Sequence, residues 1–235
     1  MAGTERTMNR VAKMAAGALT ALVLTGGGAA ATAATGTAAT AEQHAGAEKP
    51  GGKLPRNFLL HESQARKPVK HPGEEKWTIS DRHERLNLSP CDVGRSTDRG
   101  RVSTRTVTYT ALEVYQAEQV VIYRSERAAR TALADLRRRI GGCEVDQGDQ
   151  VIAKGRTKKI KVGDQAVRVI VQNYDRRDAG PAIGGQRGVI VRKGRALVSY
   201  TQAREYSGVH ASDFRRQLKD ARKMAVKVCS LPGVC

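Results

Sequence analysis

Residues 101–143 read RVSTRTVTYTALEVYQAEQVVIYRSERAARTALADLRRRIGGC. The first half is written in strand residues. Arg101 to Val114 is rich in Thr, Val and Tyr, with Val102, Thr104, Thr106, Thr108 and Thr110 on one face. Tyr115 to Tyr123 continues in the same composition, with Tyr115, Ala117, Val121 and Tyr123 on one face. The boundary between the two strands falls between Leu112 and Gln116. The second half is a helix, Ser125 to Ile140. Ser125 suits the N-cap and Glu126 the first turn. Ala129, Leu133, Leu136 and Ile140 recur as one apolar stripe. Arg137, Arg138 and Arg139 complement the dipole of the last turn, and Gly141-Gly142 stops the helix just before Cys143.

Downstream, Gln150 to Ile160 reads as a strand and Gly163-Asp164 as a turn. Ala166 to Asn173 alternates, with Val167, Val169 and Val171 on one face and Arg168, Ile170 and Gln172 on the other. Arg176 to Gly185 reads as a Gly/Pro loop. Gly188 to Arg192 and Ala196 to Thr201 form a hairpin about Lys193-Gly194. Asp213 to about Val228 reads as a helix capped by Ser212, with Phe214, Leu218, Ala221, Ala225 and Val228 as its stripe. Strand, strand, helix, several strands, helix is the order of an α+β domain. An antiparallel sheet with packed helices is expected, because a parallel series would need more helices.

The N-terminal region differs in character. Arg6, Arg10 and Lys13 precede a short apolar stretch, Ala15 to Leu24, and an Ala/Thr run ending at Ala41. This pattern predicts a secretory signal peptide over 1–41; the apolar stretch is too short for a membrane span. Residues 42–75 read as a linker, with prolines at 50, 55, 68 and 72 among glycines. Leu54 to Leu60 is an apolar island within it, from which Phe58, Leu59 and Leu60 are expected to dock, so order begins near residue 53. The main domain spans 76–235.

Four cysteines, Cys91, Cys143, Cys229 and Cys235, lie beyond the leader. An even count in an exported chain predicts two disulfides. Three pairings exist. Cys91–Cys143 and Cys229–Cys235 are favoured, because Cys143 follows a helix end and the last two are close in sequence. A four-cysteine zinc site is disfavoured by the absence of a C-x2-C pair.

The net charge is +18, and +16 remains after removal of 1–41. Lys154, Arg156, Lys158, Lys159 and Lys161 form one basic cluster. Arg176 to Arg195 and the last helix form two more, the helix carrying Arg215, Arg216, Lys219, Arg222, Lys223 and Lys227. Export and an aromatic content of 4% argue against cytoplasmic nucleic acid as partner. Anionic wall polymers or membrane head groups become the expected polyanions.

Catalytic motifs are absent: no H-E-x-x-H, G-x-S-x-G, Walker A loop or G-x-G-x-x-G occurs. Gly184-Gly185-Gln186-Arg187-Gly188 precedes no helix and reads as a flexible loop. His44, His61, His71 and His83 lie in or near the linker and read as solvated. His210, Asp213 and Ser207 or Ser212 make a triad only on paper, since a triad is defined by geometry. Asn87-Leu88-Ser89 fits the glycosylation pattern but is followed by Pro90. No metal and no cofactor is expected.

Taken in order, Leu54 to Leu60, Trp77, Cys91, the paired strands into Tyr123-Arg124-Ser125, the helix reaching Cys143, Val162-Gly163-Asp164-Gln165-Ala166, the Gly188 to Tyr200 hairpin and the terminal helix resemble one family. The chain is similar to the PknH-like extracellular sensor domains of bacterial serine/threonine kinases, and to their secreted, kinase-free relatives in high-GC Gram-positive bacteria. The resemblance covers roughly residues 53–235. It implies a single α+β domain with a twisted antiparallel sheet, two disulfides and a central cleft for an unidentified ligand. It carries over no catalytic residues. These 235 residues hold no kinase segment and no membrane-spanning helix, so the resemblance does not extend to signalling across a membrane through this chain.

The sequence thus predicts a secreted, disulfide-stabilised ligand-binding module without enzymatic activity. Its ligand is expected to be anionic and held between sheet and helices. Arg168, Arg176, Arg177 and Arg187 are the candidate contacts, because they flank the sheet end and the Gly/Pro loop. The alternatives are an extracellular hydrolase acting on wall or protein, and an adhesin that coats the wall by charge. A buried, strongly shifted His or Asp in a cleft would favour the hydrolase, and a cleft lined only by Arg, Tyr and aliphatic groups would favour binding.

Overall fold

The computed structural model describes residues 53–86, 91, 97–148, 150–205 and 211–235. The expected signal peptide, the Asn87–Ser89 pattern, Ser207 and His210 lie outside the described residues.

The hairpin read from residues 101–123 is the start of the sheet. β2 (Arg101–Thr110) and β3 (Val114–Tyr123) pair antiparallel, and β3 pairs onward with β8 (Ala196–Arg204). β7 (Pro181–Lys193), β6 (Gln165–Asp175) and β5 (Val151–Ile160) continue the sheet. Two short edge strands, β1 (Lys76–Ser80) and β4 (Glu144–Asp146), close it. The eight strands run in the order β1-β2-β3-β8-β7-β6-β5-β4, every pair antiparallel. Three helices pack on this sheet: α1 (Glu62–Ala65), α2 (Glu126–Gly141) and α3 (Ala211–Lys227).

The central strands are covered on both faces, which explains the unbroken apolar run Val120 to Tyr123. Val120, Ile122, Val189, Val191 and Val198 join α3 and the segment around Phe58 in one core. Val121, Tyr123, Val167, Val169, Val171, Ile190 and Leu197 join α2 in the other. A strand buried on both faces has no polar side to alternate with.

Within α2, Ser125 caps as the sequence predicts, its Oγ accepting from Ala128 N at 3.2 Å. Ala129, Ala132, Leu133, Leu136 and Ile140 are buried. Its C-terminal end lies so close to β5 that a Cβ on Gly155 would sit 2.2 Å from Ile140 O. The Cys91–Cys143 disulfide closes here, with Cα atoms 5.7 Å apart, and Cys229–Cys235 closes the C-terminal loop at 5.1 Å.

Three local expectations need correction. The loop expected over 176–185 is shorter, because β7 already begins at Pro181. Gly184 and Gly185, at φ 81° and 130°, and a register shift between Gln172 and Tyr174 carry the strand through that stretch. Helix α3 begins at Ala211, so Ser212 lies inside its first turn instead of capping it. Its buried stripe also includes Gln217 and Met224, while Leu218 is half-buried. In the apolar island and just after it, Leu54, Phe58 and Leu59 are core and Glu62 is fully buried.

Among the described residues, no helix is long and apolar enough to cross a membrane, and no group of His, Cys, Asp and Glu is placed to hold a metal.

Candidate functional site

A cavity of about 170 Å³ lies between the first half of α3 and strands β2, β3 and β8. A void of about 150 Å³ takes a benzene-sized molecule, so this one suits a small ligand.

One wall is a buried polar cluster. Glu118 on β3 and Tyr200 on β8 are direct cross-strand partners facing α3. Tyr200 OH donates to Glu118 Oε1 at 2.6 Å. Leu60 N–H donates to the same oxygen at 2.8 Å, and His61 N–H donates to Oε2 at 2.7 Å. Burial pushes the Glu118 carboxyl above the usual range, against the pull of these donors and of His61. Burial and then the Glu118 charge push the Tyr200 phenol up. His61 Nε2 lies 3.6 Å from Asp220 on α3. Trp77, whose ring lies 4.8 Å from that of Tyr109 at a tilt of 44°, completes this end.

Behind it, Glu62 receives Arg105 Nε at 2.6 Å and Nη2 at 2.8 Å, and the N–H groups of Asn57 and Leu59. Burial opposes its ionisation, but Arg105 and the two N–H donors outweigh it and hold the pKa at about 2. Arg105 also pairs with Asp81. Glu118 and Glu62 thus pin residues 57–62 to the sheet.

The other end is basic. Arg187 on β7, 2% exposed, pairs at 2.9 Å with Asp213 in the first turn of α3. Burial lowers its pKa against the pull of Asp213, and the charge of Arg204 lowers it further. Arg204 and Arg216 line the cavity beside it. Gln217, 6% exposed, also lines the cavity. Its Nε2 donates to Arg187 O at 3.4 Å, while its Oε1 has no hydrogen-bond partner.

The four arginines singled out from sequence separate into three places. Arg187 sits at this site. Arg168 lies on the same sheet face, 5.1 Å over the Phe214 ring of α3. Arg176 and Arg177 stand at the β6–β7 turn, ~26 Å along the strand from Arg168 at 3.3 Å per residue. There Arg176 pairs with Asp146, and Arg177 with Asp175 at 2.9 Å. Of the paper triad, Ser207 and His210 lie outside the described residues; Ser212 is exposed and Asp213 pairs with Arg187.

Sequence reasoning missed His61, Trp77, Glu118, Tyr200, Arg204, Arg216 and Gln217. One signal was present: Glu118 is an acid inside a strand otherwise destined for the core, and such a group needs donors. Its donors are two backbone groups 58 and 57 residues away in the chain and the Tyr200 hydroxyl 82 residues away.

Glu118 is a buried acid in a cleft, with its carboxyl pKa raised by burial. Its oxygens, however, already accept three hydrogen bonds, which leaves it poorly placed to take a proton from a substrate.

No protein-family model matches the chain, and no curated protein matches it. Among solved structures, it is similar to the extracellular domain of PknH from Mycobacterium tuberculosis, with 11% sequence identity over 74% of this chain and 91% of that one, at a TM-score of 0.43.

Proposed function

We propose that this protein is an extracellular ligand-binding module of the sensor type, without enzymatic activity, and that it holds a small anionic ligand in the cavity beside α3. Two disulfides point to an oxidising compartment. The observation that carries the reading is the charge at the basic end. Arg187, Arg204 and Arg216 meet there, and the acid paired among them is Asp213. Asp220 is engaged at the opposite end with His61. A guanidinium presents paired donors suited to carboxylate or phosphate. The N-terminal turn of α3 adds its own positive potential.

Mass spectrometry of protein purified from culture supernatant tests this. The wild-type chain should carry an anionic molecule near one to one, and the Arg204→Glu/Arg216→Glu chain should carry none. A wild-type chain that emerges empty, and whose melting temperature is unmoved by small carboxylates and phosphates, would remove the reading.

A further inference from the structure

A second feature stands apart from the cavity. α3 packs on β7 and β8 and reaches β6 where Phe214 lies under Arg168, and it leaves the same face of β5 open at the sheet's far side. On β5, the side chains of Lys154, Arg156 and Lys158 share that face, each two residues from the next. Directly opposite them on β6 stand Gln172, Ile170 and Arg168.

Three observations show that this surface is short of negative charge. Lys158 and Arg168 are direct cross-strand partners, and like charges so placed repel. Arg168 Nε is buried without a hydrogen-bond partner, although the guanidinium is steadied over Phe214. Acids gather only at one end: Glu144 lies 3.6 Å from Lys154, while Asp146 and Asp175 are taken by Arg176 and Arg177. Among the described residues, Arg156, Lys158 and Arg168 form no ion pair. On α3, Arg215 and Arg222 are exposed and share a helix flank with half-buried Leu218 at i, i+3 and i+7. That flank faces away from the cavity, whose lining uses Asp213, Arg216, Gln217 and Asp220.

We propose that the open face of β5, with Arg168 of β6 at its border beside α3, binds a linear phosphodiester polymer. The cations on β5 step along one line at ~6.7 Å, twice the rise per strand residue. A chain whose backbone carries one charge per unit can follow that line. The helix stands beside the stripe as a wall, so an extended chain reaches the cations where the plane of a membrane would be held off. Arg168 supplies a planar fork for one phosphate, and Arg156 and Lys158 neutralise its neighbours. This surface is separate from the cavity, and the two ligands could be held together.

The test uses the full chain and a synthetic poly(glycerol phosphate), with affinity measured between about 50 and 200 mM salt. Arg156→Gln/Lys158→Gln should weaken binding about tenfold or more, and flatten the slope of log K against log salt by about 1.4, or about 0.7 for each lost cation. A control, Arg127→Gln/Arg130→Gln, removes the same charge from exposed positions on α2 and should change affinity less than about twofold if the local stripe, not the field of the whole protein, binds the polymer. An equal loss in both variants would overturn the proposal in favour of net charge alone. So would undiminished binding by the first variant, or capture by phosphatidylglycerol vesicles without binding of the polymer. Unchanged melting temperatures confirm that each variant is folded.

Discussion

Glu62 exposes no surface, yet it is held ionised, because Arg105 and the N–H groups of Asn57 and Leu59 supply four donors to its two oxygens. Its folded pKa of about 2 lies below the ordinary 4.5, so between those values the unfolded chain binds more protons than the folded one. The stabilisation is complete above about pH 4.5 and is lost as the pH falls toward 2, and is on the order of 3 kcal/mol. Glu62→Gln should therefore lower the melting temperature at pH 7 and flatten the stability profile in that acid window. A variant whose profile keeps the wild-type slope there would assign the acid sensitivity elsewhere. Tyr200 makes a narrower case. Tyr200→Phe removes one donor from a buried carboxylate and should cost about 1.5–3 kcal/mol in denaturant unfolding. It should also raise the tendency of Glu118 to protonate, since the other two donors are backbone groups that remain in place.

The element whose packing is easiest to break is α2. Gly155 N–H donates to Cys143 O at 2.9 Å, and its missing Cβ leaves room for Ile140 O. Gly155→Ala places a methyl 2.2 Å from that oxygen, so helix or strand must move. Overpacking of this kind costs about 1–3 kcal/mol. Ser125→Ala, at the other end of the same helix, removes only a cap and should cost about 1 kcal/mol. The two are far apart and share no partner, so their effects should add in equilibrium unfolding. This helix was legible in the sequence because its cap, stripe and stop are all local. β2 and β3 were legible because strand composition ran through both. The edge strands β1 and β4 were not. Lys76–Ser80 and Glu144–Asp146 have no buried residue to mark them, and their pairing is supplied by β2 and β5. Helix α1 was hidden for a related reason: its four residues are fixed by Glu62, whose partner Arg105 is 43 positions away.

At the scale of the molecule, the cavity brings together residue 61, β1, β2, β3, β8 and α3, six pieces with no common period or spacing. Charge pattern could locate Arg187, which lies near a sheet end in the sequence reading, but it could not distinguish Arg187 from Arg176 and Arg177. Only topology does that, by folding α3 over β7 and leaving the β6–β7 turn outside. The disulfides were legible because they join points that local structure already fixes: the end of α2, and the two ends of a seven-residue loop. In the chain-entropy account, closing the long loop stabilises by about 4 kcal/mol and the short one by about 2. Native contacts modify that ranking. The short loop is docked: Arg195 N–H donates to Val234 O at 2.8 Å, and Gly194, at φ 52°, comes so near that a Cβ there would meet Val234 O at 1.9 Å. Val234 is buried in the same core as α3, so the loop is held by packing as well as by sulfur. Cys229→Ala/Cys235→Ala should therefore lose about 2 kcal/mol while the docked loop persists, and Cys91→Ala/Cys143→Ala about 4. Denaturant midpoints of the two variants decide it. If the short-loop variant falls further than the long-loop one, the Cys229–Cys235 bond acts by holding the C-terminus on Gly194, and not by restricting the unfolded chain.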